Sequence, residues 1–125
     1  MVRTQIDTAA APAAIGPYSQ AIVAGELVFT SGQIPIDPSD GSIPEEFGAQ
    51  VRQVLENLAA VLESAGTSMH NVVKATCFLT DLFHFAELNE IYEQRFGAPY
   101  PARSAVQVAR LPKDVQVEIE LVAAL

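Results

Sequence analysis

The apolar positions fall into six short runs of strand character and two longer helical stripes. Val2–Ile6 reads as an edge strand and is followed by the alanine-rich Thr8–Ala14. Ile15-Gly16-Pro17-Tyr18 is a rigid turn that enters a strand over Ser19–Ala24, and Gly25-Glu26 makes a two-residue hairpin turn into Leu27–Ser31. Gly32 breaks that strand, and Gln33–Gly41, with two prolines and Asp40-Gly41, reads as a loop. Ser42 with Glu45 predicts a capping box, and Pro44 suits the first turn of a helix. Val51, Val54, Leu55, Leu58, Val61, Leu62 and Ala65 then share one stripe before Gly66 stops the helix.

Asn71–Thr80 is predicted as a strand, apolar on both faces at Cys77-Phe78-Leu79. Asp81 is placed to cap a second helix that presents Phe85, Leu88, Tyr92 and Phe96 and ends at Gly97. Beyond the breaker Ala98-Pro99-Tyr100-Pro101 lie two further strands, Arg103–Ala109 and Val115–Val122, joined by Leu111–Asp114. The economical assembly is α+β: a mixed six-stranded sheet with both helices on one face. Ala21, Val23, Leu27, Phe29 and one side of Val72–Leu79 would then leave the other face too apolar for water, which predicts a subunit interface.

At 125 residues the chain is read as a single domain over 1–125, with half of its residues apolar and 18% charged. No stretch has the apolar length of a membrane span and no leader-like segment opens the chain, so a cytoplasmic protein without a membrane partner is expected. Cys77 is the only cysteine, and no Cys/His cluster suggests a metal. The net charge is −8, with the seven basic residues scattered, which argues against a nucleic-acid partner. A small anion needs only one well-placed arginine.

Period-two alternation supplies a candidate. If the last two strands pair as a hairpin, with Arg110 opposite Val115, then Arg103, Glu118 and Glu120 share the face turned away from the helices. Spacing alone favours an ion pair or a solvated face there. Cys77 and Tyr92 read as packing residues, His70 and His84 as element ends, and Tyr18 as either a turn anchor or a pocket wall.

Three segments shift that balance. Pro101-Ala102-Arg103-Ser104 with Val108–Asp114 and Val117-Glu118-Ile119-Glu120, Ile15-Gly16-Pro17-Tyr18-Ser19-Gln20, and Thr30-Ser31-Gly32-Gln33-Ile34-Pro35 together resemble the hallmarks of the Rid (YjgF-like) family, and of its RidA branch in particular. The resemblance implies a chorismate-mutase-like fold and a homotrimer with active sites in the clefts between subunits. It implies hydrolytic deamination of reactive 2-imino and enamine acids, 2-aminoacrylate among them, to 2-keto acids, which protects pyridoxal-phosphate enzymes. No metal or organic cofactor is implied. Arg103 would bind the substrate carboxylate and Glu118 would position or deprotonate the attacking water. Tyr18, Ser31, Gly32 and, less directly, Asn89 would line the pocket. Ala105 stands where the family pattern has cysteine, leaving only its backbone carbonyl near the reacting imine.

In an ordinary hairpin Glu118 would lie opposite Gln107, roughly 13 Å along from Arg103. Either the strands do not pair directly, or Arg103 meets a Glu118 across a subunit boundary. The rival functional class is a non-catalytic protein that binds 2-keto acids through the same arginine. Nuclease activity, attributed to relatives, fits poorly with the acidic balance.

Overall fold

The strand that holds Cys77-Phe78-Leu79 lies inside the sheet, with its backbone paired on both edges. The computed structural model describes residues 2–125, and its strands are β1 (Arg3–Ile6), β2 (Ala21–Ala24), β3 (Leu27–Thr30), β4 (Val72–Leu79), β5 (Ala102–Gln107) and β6 (Val117–Ala124). They form one mixed sheet in the order β1-β2-β3-β6-β4-β5. The helices are α1 (Phe47–Ser64) and α2 (Phe85–Phe96). Both cover the same face, where Val51, Leu55, Leu58, Leu62, Leu88 and Tyr92 share one core with Ala75, Cys77, Leu79, Ile119 and Leu121. Each such side chain removed from water contributes at most about 1.5–3 kcal/mol. The predicted fold class, strand number and helix placement therefore stand.

The predicted hairpin does not. β5 runs parallel to β4, with α2 as the crossover, and β6 lies on the other edge of β4, antiparallel to it. Parallel neighbours require such a crossover. β5 and β6 are thus separated by a strand, and Arg110 bonds Asp114 within the connecting turn instead of opening a ladder with Val115. The strands begin and end at Ala102–Gln107 and Val117–Ala124, not at Arg103–Ala109 and Val115–Val122.

This topology also sorts the faces anew. Arg103 is in register with Ala75, which faces Leu121, so its side chain lies on the helix-covered face. Glu118 faces Phe78 and Glu120 faces Thr76, on the opposite, open face. The expectation that Arg103, Glu118 and Glu120 share one face is therefore overturned. Ala21 and Val23 likewise pack inward, while Leu27, Phe29 and Val106 remain exposed on the open face. The apolar excess predicted there is real but carried partly by different residues.

Helix α1 starts later than the capping box predicts. Its N-cap is Glu46, which makes no side-chain cap, while the Ser42 hydroxyl donates to Asp40 Oδ1. The buried Gln50 sets the entry: its Nε2 donates to the Pro44 carbonyl and its Oε1 accepts from the Gln116 backbone N–H. Asp81 does cap, accepting from Phe83 N–H, but it caps one 3-10 turn (Leu82–His84) that precedes α2. Gly66 and Gly97 end the helices with φ of 88° and 66°, backbone that favours glycine.

Candidate functional site

The sequence-selected residues gather into two groups on opposite faces of the sheet. The first forms around Arg103 on β5. Three α2 residues one helical stripe apart, Phe85, Asn89 and Tyr92, point at its guanidinium. Asn89 Oδ1 accepts from Nη1 at 2.8 Å, and Cζ lies 5.2 Å from the Phe85 ring centre and 4.8 Å from that of Tyr92. No carboxylate among the described residues pairs with Arg103, whereas Arg95 and Arg110 each have an acidic partner. The group opens on a cavity of about 520 Å³ lined by Asn89, Tyr92, Glu93, Tyr100, Pro101 and Arg103. A half-buried, unneutralised guanidinium over such a cavity is suited to a planar anion.

Beneath it, burial pushes the Cys77 thiol up to about 11, against the pull of Arg103. The Tyr92 phenol is pushed up to about 12 by burial and by Cys77, again opposed by Arg103. Neither group ionises at neutral pH, as expected of packing residues. Ala105 lies opposite Cys77 on the same face and packs against the core. The Tyr92 hydroxyl is buried without a hydrogen-bond partner among the described residues. An orphaned buried hydroxyl costs about 1–3 kcal/mol. Tyr92→Phe is therefore expected to raise the melting temperature by about 4 °C, read by calorimetry; a lowered midpoint would mean the hydroxyl is satisfied in solution.

The second group forms around Glu118 on the open face. Between Phe29–Val122 and Gln33–Ile119, three residues of one chain segment oppose two of β6, a bulge. Thr30 Oγ1 fills the break by accepting from Leu121 N–H at 2.9 Å. The bulge presses Gly32 onto Glu118 so closely that a β-carbon there would sit 2.0 Å from Glu118 Oε2. Ser31 ties this segment to the turn before β2: its Oγ donates to the Ser19 carbonyl at 2.6 Å, and its N–H to the Gln20 carbonyl. The buried Gln20 side chain in turn holds the Thr8 and Pro12 carbonyls. Tyr18, half exposed, stands beside this anchor, and its N–H donates to the Gly16 carbonyl at 2.9 Å. Glu118 has its pKa raised, first by burial and then by the neighbouring Glu120.

The structure thus brings Arg103, Asn89 and Ala105 together, and Ser31, Gly32 and Glu118 together, but not the two sets; Tyr18, next in sequence to the Ser19 that Ser31 holds, lays its ring against Gly16. Two strand spacings and three residues put Arg103 and Glu118 roughly 14 Å apart in the plane of the sheet, on opposite faces. Periodicity alone puts Phe85 and Tyr92 on the apolar stripe of the second helix, where Tyr92 reads as packing. The signal that could have found them is their i, i+7 spacing around Asn89. The histidines stay outside both groups: His84 stacks on Phe47 with ring centres 4.4 Å apart, and His70 is exposed beside β4. The described residues hold no cluster of three metal-ligating side chains, and no helix is long and apolar enough to cross a membrane.

The chain as a whole is similar to known proteins. The sequence model described as endoribonuclease L-PSP matches residues 8–125. The chain is 53% identical to the 2-iminobutanoate/2-iminopropanoate deaminase of Salmonella typhimurium over 121 residues, 94% of each chain. It superposes on the crystal structure of RidA from an Antarctic Psychrobacter with a TM-score of 0.95, at 49% identity, covering 98% of this chain and 99% of that one. It also superposes on Escherichia coli TdcF with bound serine, TM-score 0.93 and 50% identity, over 98% of both chains.

Proposed function

Because the chain belongs to the endoribonuclease L-PSP family, the YjgF/Rid proteins, we propose that it is a deaminase that hydrolyses 2-imino acids and their enamine tautomers, 2-aminoacrylate included, to 2-keto acids and ammonium. The observation that carries this reading is Arg103: a guanidinium with no acidic partner, half buried and open to a cavity, on a chain about half identical to a relative named for that reaction. Its planar fork matches a carboxylate at two points. The serine-bound structure of a relative supports a small amino-acid-like ligand for this fold. A net charge of −8 supports a small anion over a polyanion.

The chemistry asks little of the protein beyond placement. A protonated imine is already electrophilic. Water adds its oxygen to the imine carbon while losing a proton and the nitrogen takes up a proton; the new hydroxyl then gives up its own proton as the carbon–nitrogen bond breaks, so that the carbonyl forms and the departing ammonia leaves as ammonium. Arg103 holds the substrate carboxylate, and Glu118 orients the water and accepts its proton. Asn89 fixes the guanidinium and, with the Ala105 carbonyl, borders the substrate. Tyr18, Ser31 and Gly32 close the other wall. No resident cofactor enters this scheme.

Since Arg103 and Glu118 lie on opposite faces of one chain, one substrate reaches both only if a second copy supplies one of them. Shared clefts in a homotrimer meet that demand, and the exposed Leu27, Phe29 and Val106 give the open face an apolar patch for such contact. The test is to generate 2-imino acids with an amino-acid oxidase and trap survivors as semicarbazones. Wild-type protein is expected to suppress trapping. Trapping that proceeds as if no protein were present would overturn the deaminase reading and leave 2-keto-acid binding.

Glu118→Gln is expected to lower kcat far more than it weakens keto-acid binding; equal losses would make the residue a binding group. The pH profile adds a signed expectation. The carboxylate form is lost as pH falls through a pKa raised above its ordinary 4.5, so activity fades on the acid side earlier than for an unperturbed glutamate. Glu120→Gln removes one cause of that rise. The acid limb should move to lower pH relative to wild type in matched buffers.

A further inference from the structure

Arginine side chains with several rotatable bonds lose much freedom when held in one pose, so a preorganised guanidinium implies a built support. That support is visible on α2. Phe85 and Tyr92 are seven residues apart, about 10 Å along the helix axis. The guanidinium carbon lies within contact range of both rings, at 5.2 and 4.8 Å, while Asn89 between them takes one N–H. We infer that Phe85 and Tyr92 act as an aromatic clamp, positioning residues that fix the plane of the Arg103 guanidinium for a two-point grip on a ligand carboxylate.

The inference rests on the carboxylate-anchor reading and extends it to residues that touch the arginine. Three features favour a clamp over ordinary packing. Phe85 is 38% exposed, so burial alone does not account for an aromatic ring at that place. The guanidinium it contacts has no acidic partner among the described residues, so the ring faces and Asn89 are what hold it. The support also comes from one rigid helix, not from a loop, so the plane is set once α2 docks. The docking itself is secured by the buried Leu88, Ile91 and Phe96 together with Tyr92, so that Phe85 is the ring whose contact with the arginine is separate from it. A planar cation stacked on ring faces keeps its N–H edge free, and that edge is what a carboxylate needs. Lysine, a point charge without a plane, would gain little from such a clamp.

The test measures pyruvate binding by calorimetry and imine turnover for the intact protein, Arg103→Ala, Phe85→Leu and Phe85→Tyr. Leucine preserves the apolar contact and helix propensity but removes the ring; tyrosine restores it. Phe85→Leu is expected to weaken pyruvate about tenfold, the upper range of one cation–π contact, and to raise KM by the same factor with kcat within about twofold. Phe85→Tyr is expected to return both to within about twofold of wild type. If the leucine variant fails to fold, Phe85→Met asks the same question. Wild-type binding by Phe85→Leu, or a failure of tyrosine to rescue it, overturns the clamp while Arg103→Ala still loses pyruvate. Unchanged binding by Arg103→Ala instead removes the anchor, and the clamp with it.

Discussion

Arg103→Ala is expected to reduce imine hydrolysis by at least about a thousandfold while the protein remains folded, because the guanidinium is the group placed to neutralise the substrate carboxylate. Truncating one member of a partly desolvated charge pair costs about 2–5 kcal/mol, and misplacing the imine carbon relative to the water adds to that loss. The fold should tolerate the change. Arg103 contributes one side-chain hydrogen bond, to Asn89, and no ion pair among the described residues, and it sits on an edge strand. Alanine removes a cation that Phe85 and Tyr92 flank, so a small decrease in thermal midpoint is the expected structural cost. Arg103→Lys should recover little, since one ammonium cannot make the planar two-point contact. Semicarbazone trapping with wild type and both variants reads the outcome. An alanine variant that keeps more than about a tenth of wild-type turnover, against the 2–5 kcal/mol expected of such a truncation, would remove the arginine from the mechanism.

Gly32→Ala carries the second large expectation. A β-carbon at this position would lie 2.0 Å from Glu118 Oε2, 2.8 Å from Cδ and 3.1 Å from Cγ, so the glutamate side chain has to leave its place. The clash is with a side chain that can rotate into the open face, not with backbone, so the chain should still fold. What is lost is the carboxylate's position. A displacement of about 1 Å in an oriented catalytic group costs on the order of a hundredfold in rate. Turnover is thus expected to fall about that far, with pyruvate binding at Arg103 nearly unchanged in the same protein. A variant with wild-type kcat would show that turnover does not depend on where Glu118 is held.

Much of this architecture was legible in the chain. The strand and helix periodicities, the Gly25-Glu26 turn and the two glycine stops all correspond to observed elements. What pattern could not give is partner choice between strands. Cys77-Phe78-Leu79 reads as apolar on both faces, which leaves its edge neighbours open, and a four-residue connection between the last two strands reads as a hairpin. The actual connection passes β4, which takes β5 on one edge and β6 on the other. That single difference moved Arg103 to the helix side and left Glu118 on the opposite face. The capping box failed for a similar reason: Ser42 and Glu45 fit the local rule, while the buried Gln50, bonded to Gln116, 66 positions away, set the helix start. At the site, single residues were legible only through the three motifs. The aromatic pair around Arg103 looked like a core stripe because rings that pack and rings that stack on a cation share the same helical spacing.

The bulge beside Glu118 has a consequence for how the gene can vary. One surplus residue between Phe29 and Gln33 is what lets both Phe29 face outward and Gln33 pair with the inward-facing Ile119. Deleting any one codon in that stretch would restore an unbroken ladder and draw the glycine away from the carboxylate, whatever amino acids remained. Adding one would push the same backbone into Glu118 or out of the sheet. Substitutions at Ser31 or Thr30 change a hydrogen bond; a frame-preserving insertion or deletion changes the count. At Thr30 and Ser31 the number of residues is therefore a stricter constraint than their identity, while at Gly32, where a β-carbon would meet Glu118, both are fixed.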